Sequence, residues 1–189
     1  MGRNENSLII MTIPNVVVTT QPDEYRRASQ LLERFGTVEP TDYFNVLLLT
    51  VGDVDRFISE FCELAASDSC LLGAVSRVMP LQKTFSYEDV EDFEKKARQA
   101  ALLFVDRLEG KTFHVRMHRR GFRHELSSQN EEKSLDALLL AELERRDTSG
   151  RITFDDPDAI LVVETVGNWA GMSLWSRDDL NRLDFLKTD

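Results

Sequence analysis

The chain has 189 residues, of which 42% are hydrophobic and 30% are charged, and its formal net charge is -10 at pH 7. These values are typical of a soluble globular protein with one or two small domains. The acidic balance argues against indiscriminate coating of nucleic acid, which usually needs a basic domain. The 2 cysteines are too few for a disulfide framework, and no stretch approaches the roughly 20 apolar residues of a membrane span.

The first part of the chain alternates apolar runs of strand length with runs of helical spacing. The predicted order is β-α-β-β-α-β, which fits a ferredoxin-like sandwich with two helices on one face of an antiparallel sheet. The predicted strands cover residues 13–20, 37–42, 44–51 and 70–79, and the predicted helices begin at Asp23 and Asp53. Residues 1–12 have no apolar run of signal length and are predicted to be a flexible lead-in.

The second part predicts further helices and strands. A helix over residues 87–109 carries a continuous apolar stripe, and another helix follows a capping box that begins at Ser128. Short strands are predicted over residues 151–154 and 169–175. The most apolar run, residues 159–166, is predicted to be a central strand buried on both faces. Gly167 and Asn168 predict a hairpin turn, and a short helix begins at Ser176.

A basic island interrupts this acidic chain. Residues 111–124 contain five Lys or Arg residues, all three histidines and no acid. Apolar residues at 113, 115 and 117 alternate with polar residues at 114, 116 and 118, so a strand should turn the apolar trio inward and the polar trio outward. Crowded like charges repel, and a bound polyanion is one reason to have them. The alternative is a solvated edge strand whose charges block aggregation.

The sequence around the island resembles the THUMP domain. The resemblance rests on T-F-x-V-R-x-x-R-R-G beginning at Thr112, a Ser-led helix at Ser128, D-D-P-D at residues 155–158 and I-L-V-V-E at residues 160–164. It extends from about Lys83 to the C-terminus. THUMP domains are RNA-binding modules of tRNA-modifying enzymes that grip the acceptor end of tRNA, and they usually follow a small ferredoxin-like domain.

The resemblance implies an α+β fold, with a ferredoxin-like domain over residues 13–82 and a THUMP domain with a mixed central sheet over residues 83–189. It also implies tRNA as a partner, contacted mainly by basic side chains. The candidate RNA-binding residues are Arg77 and Lys83 at the domain junction and Arg116, His118, Arg119, Arg120 and Arg123 in the island. For Arg77 and Lys83, the alternative is a solvated position on the surface.

The sequence contains no motif for catalysis. It lacks a phosphate-binding loop, a glycine-rich dinucleotide turn, a G-x-S-x-G elbow and the zinc deaminase signature. We therefore expect no catalytic residue, no cofactor and no metal, and we predict that the protein is not an enzyme. Asp155, Asp156 and Asp158 are conceivable Mg²⁺ ligands, although a structural turn is favoured. Trp169 and Trp175 could stack on bases, although core packing is commoner.

Together these expectations describe a cytoplasmic adaptor that presents tRNA to a separate modification enzyme. Because few residues follow the predicted strand 169–175, the chain resembles stand-alone THUMP proteins, including the adaptor of a tRNA cytidine acetyltransferase. DNA and membranes are not expected as partners. The alternative is a protein-interaction module without RNA affinity, favoured by the net charge of -10. The acidity fits either a salt-rich host or an acidic face for a protein partner.

Overall fold

The computed structural model describes residues 13–187, so the lead-in predicted over residues 1–12 lies outside the described residues. The strands of the first sheet are β1 (Val16–Thr20), β2 (Thr37–Pro40), β3 (Val46–Thr50) and β4 (Val75–Pro80). They are antiparallel and lie in the order β2-β3-β1-β4. The helices are α1 (Tyr25–Leu32), between β1 and β2, and α2 (Val54–Ser67) with the short α3 (Ser69–Ala74), between β3 and β4. This is the predicted ferredoxin-like connection.

The second sheet is mixed. Its strands are β5 (Lys83–Ser86), β6 (Thr112–Arg120), β7 (Arg151–Ile152), β8 (Ala159–Val166) and β9 (Trp169–Ser176), in the order β5-β9-β8-β6-β7. Strand β6 is parallel to β7 and β8, whereas β9 is antiparallel to β8 and β5. Helices α4 (Val90–Leu102) and α5 (Ser128–Arg145) pack against one face of this sheet. The predicted α+β fold class is therefore confirmed.

Strand β8 belongs to two hydrophobic cores, because both of its faces are buried, as predicted. Leu161 and Val163 pack with side chains of α4 and α5. Ile160 and Val162 point the opposite way and pack with side chains of the first sheet. The period of two along a strand thus lets one apolar run fill the space on both sides of the second sheet.

The end of the described chain also packs against the first sheet. Helix α6 (Arg177–Arg182) is followed by a 3₁₀ turn over Asp184–Leu186. Phe185 is buried in the core of the first sheet, and the centroid of its ring lies 4.8 Å from that of Phe61 in α2. Trp169 and Trp175 are buried in the same core, with 7% and 4% of their surface exposed. The suggestion that these tryptophans stack on bases is therefore wrong.

Several boundaries differ from the sequence predictions. Residues 70–74, predicted as the start of a strand, are helical, because Asp68 Oδ1 accepts a hydrogen bond from Cys70 N at 2.8 Å and caps α3. Periodicity alone does not distinguish a strand from a helix over such a short apolar run. The helix predicted over residues 87–109 is shorter, and strand β5 before it was not predicted. The N-cap of α5 is Ser127 rather than Ser128, and α1 begins without a side-chain cap from Asp23.

None of the helices found between residues 13 and 187 has both the length and the apolar composition needed to cross a bilayer.

Candidate functional site

The basic island forms strand β6 and the turn after it. Phe113, Val115 and Met117 are buried in the core beneath α4 and α5, so the predicted inward direction of the apolar trio is confirmed. The prediction that His114 faces solvent is wrong, since only 3% of its surface is exposed. Its Nδ1 lies 2.9 Å from the carbonyl oxygen of Thr153, and its ring lies 5.0 Å from the ring of Phe154.

Helix α5 covers the outer edge of β6. Strand β7 pairs only with the first two residues of β6, which leaves the later amides without a neighbouring strand on that side. Asp136 Oδ1 accepts a hydrogen bond from Val115 N, and Glu132 Oε1 accepts one from Met117 N, both at 2.8 Å. Burial, together with the nearby Glu132 carboxylate, raises the pKa of Asp136 to about 6. The alternative of a solvated edge strand is therefore wrong for this part of β6.

A buried carboxylate organises the opposite face of β6. Glu164 of β8 is fully buried, and its two oxygens form ion pairs with Arg77 at 2.6 Å and with Arg120 at 2.7 Å. Arg120 Nη2 also donates to Thr19 Oγ1 at 3.2 Å. Arg120 is mostly buried, because only 20% of its side chain is exposed. The solvated position considered for Arg77 is also wrong, because its side chain is 9% exposed.

His118 and Arg116 complete this site, which we call the cationic cleft: Arg77, Arg116, His118 and Arg120 around Glu164. His118 lies opposite Glu164 in the strand register. Burial and the neighbouring arginines lower the pKa of His118 to about 4, although Glu164 opposes the shift. His118 is therefore neutral at pH 7. The cleft then holds three guanidinium groups against one carboxylate, a local surplus of positive charge.

Several polar atoms of the cleft are buried without a hydrogen bond to any of the described residues. They include Arg77 Nη1, Arg116 Nε and His118 Nε2. A buried donor without a partner costs free energy comparable to a lost hydrogen bond. The two arginine atoms therefore keep hydrogen-bonding capacity that would suit an anionic group.

The remaining arginines of the island lie in a second group, which we call the basic turn: Arg119, Gly121 and Arg123. Arg119 projects to the other side of the strand, and its Nη1 donates to the carbonyl oxygen of Gly121. Together with Arg123 and His124 it lines a groove at the N-terminus of α5. The free amides and the dipole at a helix N-terminus favour anions. The island thus presents positive charge at two neighbouring places.

The basic turn is held against the first sheet. Gly121 has a φ of +109°, and a Cβ added there would lie 2.8 Å from Tyr43 Oη and 3.2 Å from Gly167 Cα. Only glycine permits this approach. Tyr87 Oη donates to the carbonyl oxygen of Gly167 at 2.6 Å and fixes the β8–β9 hairpin beside it. The loop before β3, the basic turn and this hairpin therefore meet at one end of the molecule.

Lys83 does not join either group. It is exposed on strand β5, which pairs with β9 at the far edge of the second sheet. Two strands separate β5 from β6, a distance of roughly 14 Å at the usual strand spacing.

The aspartates at residues 155–158 form a structural turn, as favoured from the sequence. Asp158 Oδ2 accepts hydrogen bonds from Thr112 N and Thr112 Oγ1, both at 2.8 Å. Arg177 forms ion pairs with Asp156 and Asp158. Between residues 13 and 187 no group of three or more His, Cys, Asp or Glu side chains is placed to hold a metal ion.

Sequence reasoning missed two residues that shape this region. One is Glu164, a single acid inside a strand predicted to be buried on both faces. This position was a signal, because a buried charge requires a partner. The other is Phe44, which is 88% exposed in the loop before β3 and follows Tyr43, whose Oη approaches the basic turn. The sequence placed Phe44 at the start of a predicted buried strand, so its position at the tip of a loop carried no signal.

No family model matches the sequence, and no curated protein matches it. The fold is similar to that of several solved structures. PH1313 from Pyrococcus horikoshii Ot3 has a TM-score of 0.59 and 9% identity, over 87% of this chain and 55% of that one. TrmN from Thermus thermophilus has a TM-score of 0.58 and 17% identity, over 84% and 44% of the two chains. A 4-thiouridine synthetase in complex with RNA and ATP has a TM-score of 0.54 and 14% identity, over 87% and 42%.

For this chain, these similarities show a THUMP-like fold. They contradict the prediction that the protein is not an enzyme, since the neighbours include a methyltransferase, TrmN, and a 4-thiouridine synthetase. The chain spans about half of the length of these neighbours or less. The lack of a catalytic motif in its residues was therefore not sufficient ground for that prediction.

Proposed function

We propose that the chain is an RNA-binding module that holds tRNA at its acceptor end and acts as an adaptor, presenting the tRNA to a separate modification enzyme. The observation that carries the proposal is the cationic cleft. Two guanidinium groups pair with one buried carboxylate, and a third, that of Arg116, lies near His118 on the same strand, in a chain with a formal net charge of -10. Positive charge concentrated in this way favours an anionic ligand, and the phosphates of RNA supply one.

The chemistry of the cleft supports phosphate as the contacted group. A guanidinium group offers a planar fork of donors that matches two phosphate oxygens. Arg77 is 8% exposed, yet its Nη1 has no hydrogen bond to any residue from 13 to 187. A 4-thiouridine synthetase of similar fold has been crystallised in complex with RNA.

Each candidate residue has a separate role in this proposal. Arg77, Arg116 and Arg120 contact phosphates in the cleft, and His118, neutral at pH 7, contributes a hydrogen bond without charge. Arg119 and Arg123 contact phosphates beside the N-terminus of α5. Lys83 adds long-range attraction from the edge of the second sheet. Such contacts fix position and affinity, whereas selectivity comes from the shape of the RNA and its free end.

An electrophoretic shift assay with intact tRNA and with tRNA trimmed at its 3′ end tests the proposal. We expect intact tRNA to bind more tightly than the trimmed form, and both complexes to weaken as salt rises. The Arg145→Ala variant is a matched control, because this arginine is exposed and pairs only with Glu142 among the described residues. Equal binding to any RNA, or no binding, would contradict the proposal.

The proposed modification enzyme is a tRNA cytidine acetyltransferase, which the resemblance of the sequence favours. A pull-down from cytoplasmic extract tests this partner and the proposed location together. We expect the enzyme to be recovered together with tRNA. Recovery of a protein partner after ribonuclease treatment, without measurable tRNA binding, would favour the protein-interaction module instead.

A further inference from the structure

Phe44 stands out among the apolar side chains of the described residues, because 88% of its surface is exposed. Single exposed apolar residues are common, so exposure alone does not indicate a function. Phe44 differs from an ordinary surface residue in two respects. The loop that carries it is fixed by hydrogen bonds, and it lies beside the basic turn.

The loop before β3 is ordered by its own contacts. Thr41 Oγ1 donates to the carbonyl oxygen of Val46 at 2.8 Å and accepts from Tyr43 N at 3.2 Å. Thr20 N donates to the carbonyl oxygen of Asn45 at 2.8 Å, and Asn45 itself has a φ of +56°. Residues on both sides of Phe44 are therefore anchored. Binding through its ring would lose little conformational entropy, because the backbone is already ordered.

The same contacts place Phe44 near the arginines. On one side, Tyr43 reaches the basic turn, with its Oη close to Gly121 and Gly167. On the other side, the carbonyl oxygen of Asn45 accepts a hydrogen bond from the amide of Thr20 in β1. The neighbouring residue, Thr19, accepts a hydrogen bond from Arg120. Phe44 thus stands between anchors that touch the basic turn and the strand residue bound by Arg120.

We propose that Phe44 is a stacking platform for one unpaired nucleobase of the RNA whose phosphates the neighbouring arginines contact. This inference rests on the proposed function and deepens it. Every base has an aromatic face, so a phenyl ring binds unpaired nucleotides without strong preference for sequence. A base inside a duplex presents no free face to such a ring, and therefore Phe44 selects a single-stranded segment.

The test compares two RNA hairpins of the same stem, one blunt and one with a short single-stranded 3′ extension. Phe44→Ala lowers the affinity for the extended hairpin about 5- to 150-fold, the range for loss of one base–aromatic stack. The affinity for the blunt hairpin stays within about twofold, because phosphate contacts are unchanged. Phe44→Tyr keeps the ring and retains the affinity of the wild type. When the extension contains 2-aminopurine, binding of the wild type or of Phe44→Tyr quenches its fluorescence, and binding of Phe44→Ala does not.

Phe154→Ala is the matched control. This phenylalanine is also exposed, at 69%, but it lies beside His114 near the start of β6, roughly 20 Å along the strand from Arg120. We expect it to bind both hairpins as the wild type does. Thermal melting should be nearly unchanged in Phe44→Ala, because the side chain buries little surface.

Several results would overturn the inference. An equal loss of affinity for both hairpins, or no loss for either, would exclude a stacking role. An effect of Phe154→Ala as large as that of Phe44→Ala would show that the binding responds to any exposed ring. Unchanged RNA binding with loss of a co-purified protein would identify Phe44 as a protein contact. If the wild type binds neither hairpin, the proposed function fails as well. If the wild type binds RNA but Phe44→Ala lacks the predicted effect, only the stacking role fails and the proposed function is unaffected.

Discussion

Glu164 determines which arginines of the cleft contribute to folding. Its fully buried carboxylate pairs with Arg77 and Arg120, whereas Arg116 forms no ion pair with any of the described residues. Removing one partner of a buried pair leaves a charge without compensation. The free energy of unfolding and the affinity for RNA should therefore respond differently to substitutions at these positions.

Arg120→Ala should lower the free energy of unfolding by roughly 3 kcal/mol, the lower end for a broken buried pair, because Arg77 still compensates Glu164. Arg116→Ala should change it by less than about 0.5 kcal/mol, as expected for a side chain without such a partner. Urea denaturation of both variants measures these values. Equal stability of the two variants would show that the Arg120–Glu164 pair does not stabilise the fold.

The pKa of His118 makes stability depend on pH. Its value of about 4 in the folded protein lies below the ordinary 6.5, so between these values the unfolded chain binds more protons. Stability from this residue is therefore lost as pH falls through that window. His118 faces Glu164 of β8, Arg77 of β4, and Arg116 and Arg120 of its own strand.

His118→Gln removes this titration. Relative to the wild type, the variant should gain roughly 3 kcal/mol in unfolding free energy when the pH is lowered from above 6.5 to near 4. Denaturant titrations of both proteins at the two pH values give the difference. A difference that is independent of pH would mean that His118 is not desolvated in the folded protein.

Helix α5 shields the edge of β6 with carboxylates, and the pH dependence of stability that arises from Asp136 is opposite to that from His118. The pKa of Asp136, raised to about 6 from 3.8, means that the folded protein binds the extra proton. Stability from this group rises as pH falls from above 6 to near 3.8. Asp136→Asn keeps an acceptor for Val115 N and should abolish a rise of up to roughly 3 kcal/mol. Unfolding curves for this variant that keep the pH dependence of the wild type would contradict the assignment.

At this scale the sequence predicted what depends on local periodicity. The inward direction of Phe113, Val115 and Met117 follows from the period of a strand, which needs no knowledge of the partners. The burial of Arg120 depends on where β8 places Glu164 and on how the first sheet packs against it. The helix at residues 70–74 depends on the Asp68 cap, which an apolar run does not reveal. These are contacts between segments far apart in the chain.

Across the whole molecule, the shared core makes the two sheets depend on each other. Side chains of β8, β9 and the last described residues pack with the first sheet. Phe185→Ala removes a ring that contacts Phe61, and should lower stability by about 3–5 kcal/mol. The protein should still unfold in one transition, seen alike by tryptophan fluorescence, which reports Trp169 and Trp175, and by far-ultraviolet circular dichroism. Separate transitions for the two probes would contradict a shared core.

The net charge of -10 and the cationic side chains act on RNA at different distances. Repulsion of RNA by the acidic surface falls off over a Debye length, whereas an arginine contacts a phosphate directly. Binding therefore depends on a few arginines rather than on the total charge. Counting those contacts is the most direct test of the proposed function.

The measurement is the affinity for tRNA over a range of salt concentrations, for the wild type and for a variant with Arg116, Arg119 and Arg123 all changed to Ala. These three form no ion pair with any of the described residues, so the variant should fold. Each removed phosphate contact should lower the slope of log K against log salt by about 0.7–0.9. We predict a loss of about two units of slope or more, together with weaker binding at low salt, whereas Arg145→Ala changes neither. An unchanged slope and affinity in the triple variant would contradict the account.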